Sequence, residues 1–291
     1  MEKEINHHIC SKPTTLYVSD LDGTLLNSDS LISPRSAEIL NELIGNGVMF
    51  TIATARTPAT VVPLLGGMNL NLPAIVMAGA AMWDNSRKDY LNTNAFDEET
   101  VGQVCSICED AGIHPFVYRR HKGQLEVHHF GAMSSTESNF VEERSHSVLK
   151  RFVLDEPDYV HSRGEALLIF TMNEYERLMR VYERISSEVT CSSVCYHDIF
   201  GPETGLMEVY SCGTSKAEAI RRLANDVNAD RIVVFGDNLN DLPMLEIADY
   251  SVATANAVED VRNVADEVIG CNDADSVALW IQHDAGQYPQ F

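Results

Sequence analysis

The chain has 291 residues, with 43 acidic against 21 basic side chains and a net charge of -22 with neutral histidines. That excess of carboxylates excludes a general binder of nucleic acid or of anionic membrane, whose surface needs surplus Lys and Arg. A small anionic ligand stays admissible, because it answers to a local field rather than to the total. At 45 % hydrophobic and 22 % charged residues, the composition is that of a globular protein of one large domain or two.

No run approaches the roughly 18 apolar residues of a membrane span. The polar stretch 1–11 does not resemble a signal peptide. The seven cysteines are odd in number and do not read as a disulfide framework. The cytoplasm is therefore the expected location, with no membrane or nucleic-acid partner. Cys105 and Cys108 form a CxxC, but Val104, Ile107 and Ala111 place them on a helix face. Buried thiols are expected there rather than a redox or metal site.

In chain order, residues 14–19 form a short apolar run that ends at Asp20, the pattern of a buried strand. Ser33-Pro34 starts a helix, and Ile39, Leu40, Leu43 and Ile44 recur at helical spacing before Gly47. Residues 48–53 read as a second strand, 59–65 as a helix and 74–78 as a third strand. Such alternation with short connections predicts a parallel sheet covered on both faces. The middle differs. Helices over 98–111 and 174–189 alternate with strands at 124–130, after the Lys122-Gly123 turn, and at 166–172. This mixture predicts an α+β unit with one open sheet face. The end returns to the first pattern, with helices at 215–225 and 242–248 and strands at 231–235 and 250–253. The expected tail, 283–291, is polar and loosely held. The expected architecture is an α/β parallel-sheet core made of 1–83 and 205–291, with an inserted α+β domain over 84–204.

The carboxylates fall at strand ends. Asp20 and Asp22 follow the first strand in Asp-Leu-Asp-Gly-Thr-Leu-Leu, and Asp237 and Asp241 follow the strand at 231–235 in Gly-Asp-Asn-Leu-Asn-Asp. Ligands of open parallel sheets bind outside the carboxyl ends of the strands. Either segment alone reads as a polar turn or a capping loop. Together, two pairs of acids at two such ends repel one another unless a cation sits between them, and hard oxygen ligands suit Mg²⁺. Thr54 ends the second strand, where its hydroxyl and nearby N–H groups suit a phosphoryl oxygen or a simple cap. Lys216 starts a helix, where the helix dipole offers a cation nothing.

The order of these segments resembles the haloacid dehalogenase (HAD) superfamily. The large insert between Thr54 and Lys216 resembles the C2-type cap of the Cof-like (IIB) phosphatases. The similarity runs from Tyr17 to about Leu279 and takes in Met207-Glu208-Val209, residues 253–257 and Ala265-Asp266-Glu267-Val268. The resemblance implies Mg²⁺-dependent hydrolysis of a small phosphomonoester, such as a sugar phosphate, a phosphorylated flavin precursor or pyridoxal phosphate. It makes Asp20 the nucleophile and Asp22 the general acid and base. Thr54 binds the phosphoryl group, Lys216 neutralises its charge, and Asn240 touches the phosphate or the lysine. Mg²⁺ is held by Asp20, by the Asp22 main-chain carbonyl and by Asp237, with Asp241 supporting the metal shell or orienting Lys216. A monomer or weak homodimer is expected.

The sequence departs from the Cof-like pattern at Ala55, where Gly is usual, and at Ala78, where the loop usually reads Asn-Gly-Ala. Ala217 and Ser276 each replace a Gly. None of these touches the four acids, Thr54 or Lys216. In the insert, Arg119, Arg120, His121 and Lys122 read as substrate contacts or as a solvated turn. His128 and His129 fall on opposite sheet faces. Glu208 matches a Cof-like position without a readable role, and Tyr17, Tyr90 and Tyr118 read as packing. Two competing functions use the same fold: a phosphotransferase or mutase that passes the phosphoryl group to another hydroxyl, and a non-catalytic ligand-binding regulator. Retention of both Asp20 and Asp22 speaks against the regulator.

Overall fold

The computed structural model describes residues 13–197, 201 and 203–287. The chain opens with β1 (Thr15–Ser19), α1 (Pro34–Gly45), β2 (Met49–Ile52), α2 (Pro58–Leu64), β3 (Ala74–Val76), β4 (Ala81–Asp84) and β5 (Asp89–Leu91). The middle runs through α3 (Glu98–Asp110), β6 (Phe116–His121), β7 (Gln124–His129), α4 (Ser135–Arg144), β8 (Lys150–Leu154), β9 (Glu165–Glu174), α5 (Tyr175–Glu188), β10 (Cys191–His197) and β11 (Thr204–Ser211). It closes with α6 (Lys216–Asp226), β12 (Arg231–Gly236), α7 (Leu242–Glu246), β13 (Tyr250–Ala253), α8 (Glu259–Val264), β14 (Glu267–Val268) and α9 (Ser276–Gln287). Two compact units result. One takes the chain up to Ile52, residues 67–72 and the chain from Arg221; the other takes Ala53–Gly66 and Pro73–Ile220.

The first unit is built on a sheet of order β14-β13-β12-β1-β2, parallel throughout. All five residues of β1 are buried, so side chains on both of its faces are covered. The start of α1 is as the sequence predicts: Ser33 accepts from the Ser36 N–H, and Pro34 opens the first turn. The tail differs from expectation. Residues 283–287 are the last turn of α9, because Tyr17 donates to Asp284 at 2.7 Å and Arg231 donates to the same carboxylate at 2.7 Å. Residues 288–291, like the stretch 1–11, lie outside the described residues.

The second unit holds two sheets. The larger has the order β10-β11-β9-β6-β7-β8 and is antiparallel except for the β7–β8 pair. Helices α3 and α5 cover one face around Val117, Ile169, Met207 and Val209. Cys105 and Cys108 lie in that core with free thiols, as their helical spacing predicts, and burial pushes the Cys105 thiol up to about 12. The opposite face carries Phe116, Tyr118 and Phe170, and α4 leans on it through Phe140, whose ring lies 5.6 Å from Phe116 and 5.3 Å from Phe170. The third predicted strand behaves differently from its sequence reading. β3 forms an antiparallel sheet with β4 and β5 and meets the end of the second strand through one parallel bridge, Ala53 to Ile75. It stops at Val76 because Met77 and Ala78 turn left-handed, at φ 49° and 53°.

Candidate active site

β1 and β12 are neighbours in register, Ser19 opposite Phe235, so the residues that follow them leave the sheet side by side. The Asp20 N–H donates to the Phe235 carbonyl at 2.9 Å, and the residue is 5 % exposed. The chain then turns sharply at Gly23, with φ 77°. A Cβ at Gly23 would stand 2.3 Å from an Asp237 carboxylate oxygen, so the glycine lets the second acidic loop close on the first. Thr24 donates to the other Asp237 oxygen at 2.8 Å. Asp241 is fully buried, and one of its oxygens accepts the N–H groups of Asp237 at 3.0 Å and Asn238 at 3.2 Å. The loop after β12 is therefore folded around Asp241, and Gly236 gives that side chain room: a Cβ there would lie 2.7 Å from the Asp241 Cβ.

The result is one group of three carboxylates. Asp20, Asp237 and Asp241 each offer an oxygen, and these oxygens lie within 4.8 Å of one another. Three acids so close repel unless a cation is shared, and an all-oxygen donor set with room for further oxygens fits a hard divalent ion such as Mg²⁺. Asp22 is exposed at the turn, and its carboxylate is not one of the three. Asn240 is exposed on the short helical turn before α7.

Thr54 and Lys216 belong to the second unit, and both are buried. The Thr54 N–H donates to Ile75, its carbonyl accepts from Ala78 at 3.0 Å, and its hydroxyl accepts from the Arg56 N–H at 3.2 Å. Lys216 is the first residue of α6, after Ser215, whose hydroxyl accepts from the Glu218 N–H. Gly79, at φ 99°, lies so close to this start that a Cβ would stand 2.2 Å from the Ser215 carbonyl oxygen. One loop, residues 77–80, is thus bonded to the Thr54 strand end and packed on the residue before Lys216. Ala78 holds a left-handed conformation that Asn tolerates better than Ala. An asparagine at this place would have a backbone reason, quite apart from any ligand.

The basic run of the insert is not a solvated turn at its first member. Arg119 is fully buried, pairs with Glu98 at 2.8 Å and donates to the carbonyls of Gly164 and Val160. A register shift between Tyr118 and Arg119 sits at this point of the β6–β9 ladder. Arg120 pairs with Asp89 and Glu165. His128 lies between Glu126 and Glu156, whereas His129 stacks on Phe116, so alternation does separate them.

A cavity of about 670 Å³ opens in the second unit. Its wall begins with Ala55, Arg56 and Thr57, the residues directly after Thr54, and continues over Tyr118, Phe140 and Phe170 to Lys150 and Glu208. Glu208 accepts from the Tyr196 hydroxyl at 3.0 Å and the Tyr210 hydroxyl at 2.8 Å. Burial pushes its carboxyl above the ordinary range, against those hydroxyls and the Lys216 charge, which pull it down. Lys150 is the residue that sequence reasoning passed over. Its signal was period two in β8, where Lys150 shares a face with Phe152, but a lysine on an edge strand reads first as protection against pairing.

Residues 17–281 match the family of haloacid dehalogenase-like hydrolases. The chain belongs to that family. It is a HAD-type phosphatase of the Cof-like kind that its motifs resemble. The pyridoxal phosphate phosphatase of Escherichia coli is 26 % identical over 276 residues, which cover 92 % of this chain and 97 % of that one. The 5-amino-6-(5-phospho-D-ribitylamino)uracil phosphatase of Bacillus subtilis is 25 % identical over 291 residues, covering 92 % and 98 %. Among solved structures, a haloacid dehalogenase-like hydrolase from Bacteroides thetaiotaomicron superposes with a TM-score of 0.76 at 22 % identity, over 93 % of this chain and 99 % of that one. That likeness is one of fold: a parallel-sheet core with an inserted α+β cap.

Proposed function

We propose that this chain hydrolyses a small phosphomonoester through an aspartyl phosphate on Asp20, with Mg²⁺ as its cofactor. The reading is carried by the convergence of the Asp20, Asp237 and Asp241 carboxylate oxygens within 4.8 Å at the ends of two paired parallel strands. Asp20, Asp237 and the Asp22 main-chain carbonyl would hold the ion, with Asp241 behind them. When bound, Mg²⁺ supplies the positive charge that lets a carboxylate approach a phosphate dianion.

The steps belong to the side chains. An Asp20 carboxylate oxygen attacks phosphorus, and the bond from phosphorus to the ester oxygen breaks. Asp22, exposed and two residues along the turn, gives its proton to the leaving alkoxide. The deprotonated Asp22 then takes a proton from water, whose oxygen attacks phosphorus and releases phosphate, and Asp20 is restored. Thr54, Lys216 and Asn240 hold the transferring group, the lysine offsetting its charge. The functional division follows the motifs: a catalytic core of 1–83 and 205–291 and a cap over 84–204.

The substrate is a soluble phosphorylated metabolite, and the relatives named for pyridoxal phosphate and a ribitylaminouracil phosphate favour one whose leaving group carries a ring. Among the described residues no helix is long and apolar enough to cross a membrane. The test is hydrolysis of p-nitrophenyl phosphate. Release of nitrophenol is expected with Mg²⁺, none with EDTA, and none for Asp20→Asn. Full activity in EDTA, or in a folded Asp20→Asn variant, overturns the reading.

A further inference from the structure

The cavity of the second unit holds a feature that phosphoryl chemistry does not use. Lys150 is 3 % exposed and lines the cavity. Its ammonium lies 5.2 Å from the Phe152 ring centroid, 5.8 Å from Phe140 and 6.0 Å from Tyr118. No carboxylate is paired with it among the described residues; the salt bridges of the cap go to other cations. Another cation, Arg144, repels it; that arginine is itself paired with Glu143 at 3.0 Å and lies over Phe140. Together, burial and Arg144 push the Lys150 ammonium down to about 8, below an ordinary lysine.

Three ring faces attract a cation but do not accept its N–H groups as a carboxylate would. A charge buried this way asks for an anion or strong acceptor from outside. Leu168, Phe170, Met172 and Leu206 add apolar wall beside the rings, while Arg56, Thr57, Thr60, Thr136, Asn139 and Glu208 make the rest of the lining polar. The volume, about 670 Å³, takes a ring system of one or two fused rings together with its substituents.

We propose that this cavity is a subsite for a flat aromatic or heteroaromatic group bearing an oxyanion, with the ring against Tyr118, Phe140 and Phe170 and the oxyanion on Lys150. The proposal deepens the phosphatase reading and rests on it only in making this group the leaving group of the substrate. Thr54, a phosphoryl contact in that reading, directly precedes Ala55, the first residue of the cavity wall, in the same unit.

The test separates the two claims by leaving out phosphate and Mg²⁺. The whole protein is titrated with 3-hydroxy-2-naphthoate, a flat fluorescent carboxylate, and with gluconate, an aliphatic carboxylate of the same charge. Saturable binding of the naphthoate and none of gluconate is expected. Lys150→Met, close in shape and neutral, is expected to bind at least about tenfold more weakly, the worth of one charge-assisted contact. On the unaltered protein, saturating naphthoate is expected to protect Lys150 from acetylation, read by mass spectrometry, which keeps the proposal decidable if the variant does not fold. Absence of naphthoate binding, equal binding by the folded variant, or Lys150 acetylated alike with and without ligand overturns the subsite. A protein that binds naphthoate through Lys150 but hydrolyses no phosphate ester overturns the phosphatase reading and leaves the subsite standing; the reverse pattern removes the subsite alone.

Discussion

The two units place charge in opposite settings. In the parallel-sheet unit, three carboxylates converge at strand ends, held by main-chain N–H groups and by glycines that let the loops close. In the other unit, one ammonium is buried among aromatic rings. Clustered acids call for a cation whatever the substrate, so that arrangement serves chemistry common to all phosphomonoesters. An ammonium among rings calls for one kind of partner, flat and acidic, and so serves selection. The difference teaches that a net charge of -22 says little about where phosphate is met. On the proposed reading, phosphate is captured at short range with a metal at the first place, and the leaving group's oxyanion is held by Lys150 at the second.

The comparison can be broken by single substitutions. Asp20→Asn is expected to lower kcat by about a thousandfold or more while thermal unfolding stays as in the parent, because a nucleophile lost is not replaced by binding. Asp22→Asn is expected to lower kcat by roughly 10²–10⁴-fold on an alkyl phosphate and much less on p-nitrophenyl phosphate, whose leaving group needs no proton. Equal losses on the two substrates would contradict the general acid. Arg119→Met strips the Gly164 and Val160 carbonyls of their buried donor, and is expected to cost about 2–4 kcal/mol in denaturant unfolding. It leaves the acid cluster untouched, and a variant as stable as the parent would refute the structural role.

Lower in magnitude is a pH effect at the cavity. With Lys150 pushed down to about 8, naphthoate affinity is expected to fall as pH rises through that value, because the proton lost is the positive charge that holds the carboxylate. The other titratable groups lining the cavity are Arg56, Tyr118, Glu143, Arg144, Tyr196 and Glu208. Burial raises the Tyr118 hydroxyl, which stays neutral across this range. An affinity flat from pH 7 to pH 9.5 would place the contact elsewhere. The smallest effect is at Ala78, where Asn relieves a left-handed alanine; Ala78→Asn is expected to stabilise by about 0.5–1 kcal/mol in denaturant unfolding.

Much of this was legible in the sequence where the local signal and the fold agree. β1, with its apolar run closing on Asp20, and β13 are where the pattern puts them, and the Ser33-Pro34 start of α1 is realised bond for bond. Asp20, Asp237 and Asp241 converge because the two strands that carry them are paired, and the parallel pattern foretells such a pairing. β3 escaped because a strand's sheet is chosen by its partners, and Val76 ends in two left-handed residues that apolarity does not reveal. Arg119 escaped because a four-residue basic run reads as solvent-facing, while a register shift and two carbonyls far along the chain bury its first member. Lys150 escaped for a similar reason. The rings that surround it come from three separate elements, and only the folded chain brings them to one place.

The claim at the centre is that Asp20 carries the phosphoryl group. The direct measurement is to acid-quench the protein during turnover with Mg²⁺, reduce acyl phosphates with borohydride, and map the product by mass spectrometry. The account predicts conversion of Asp20 to homoserine in proportion to the quenched intermediate, and none in a quench without substrate. Phosphate release with Asp20 unmodified, or with the reduced residue found elsewhere in the chain, would contradict it.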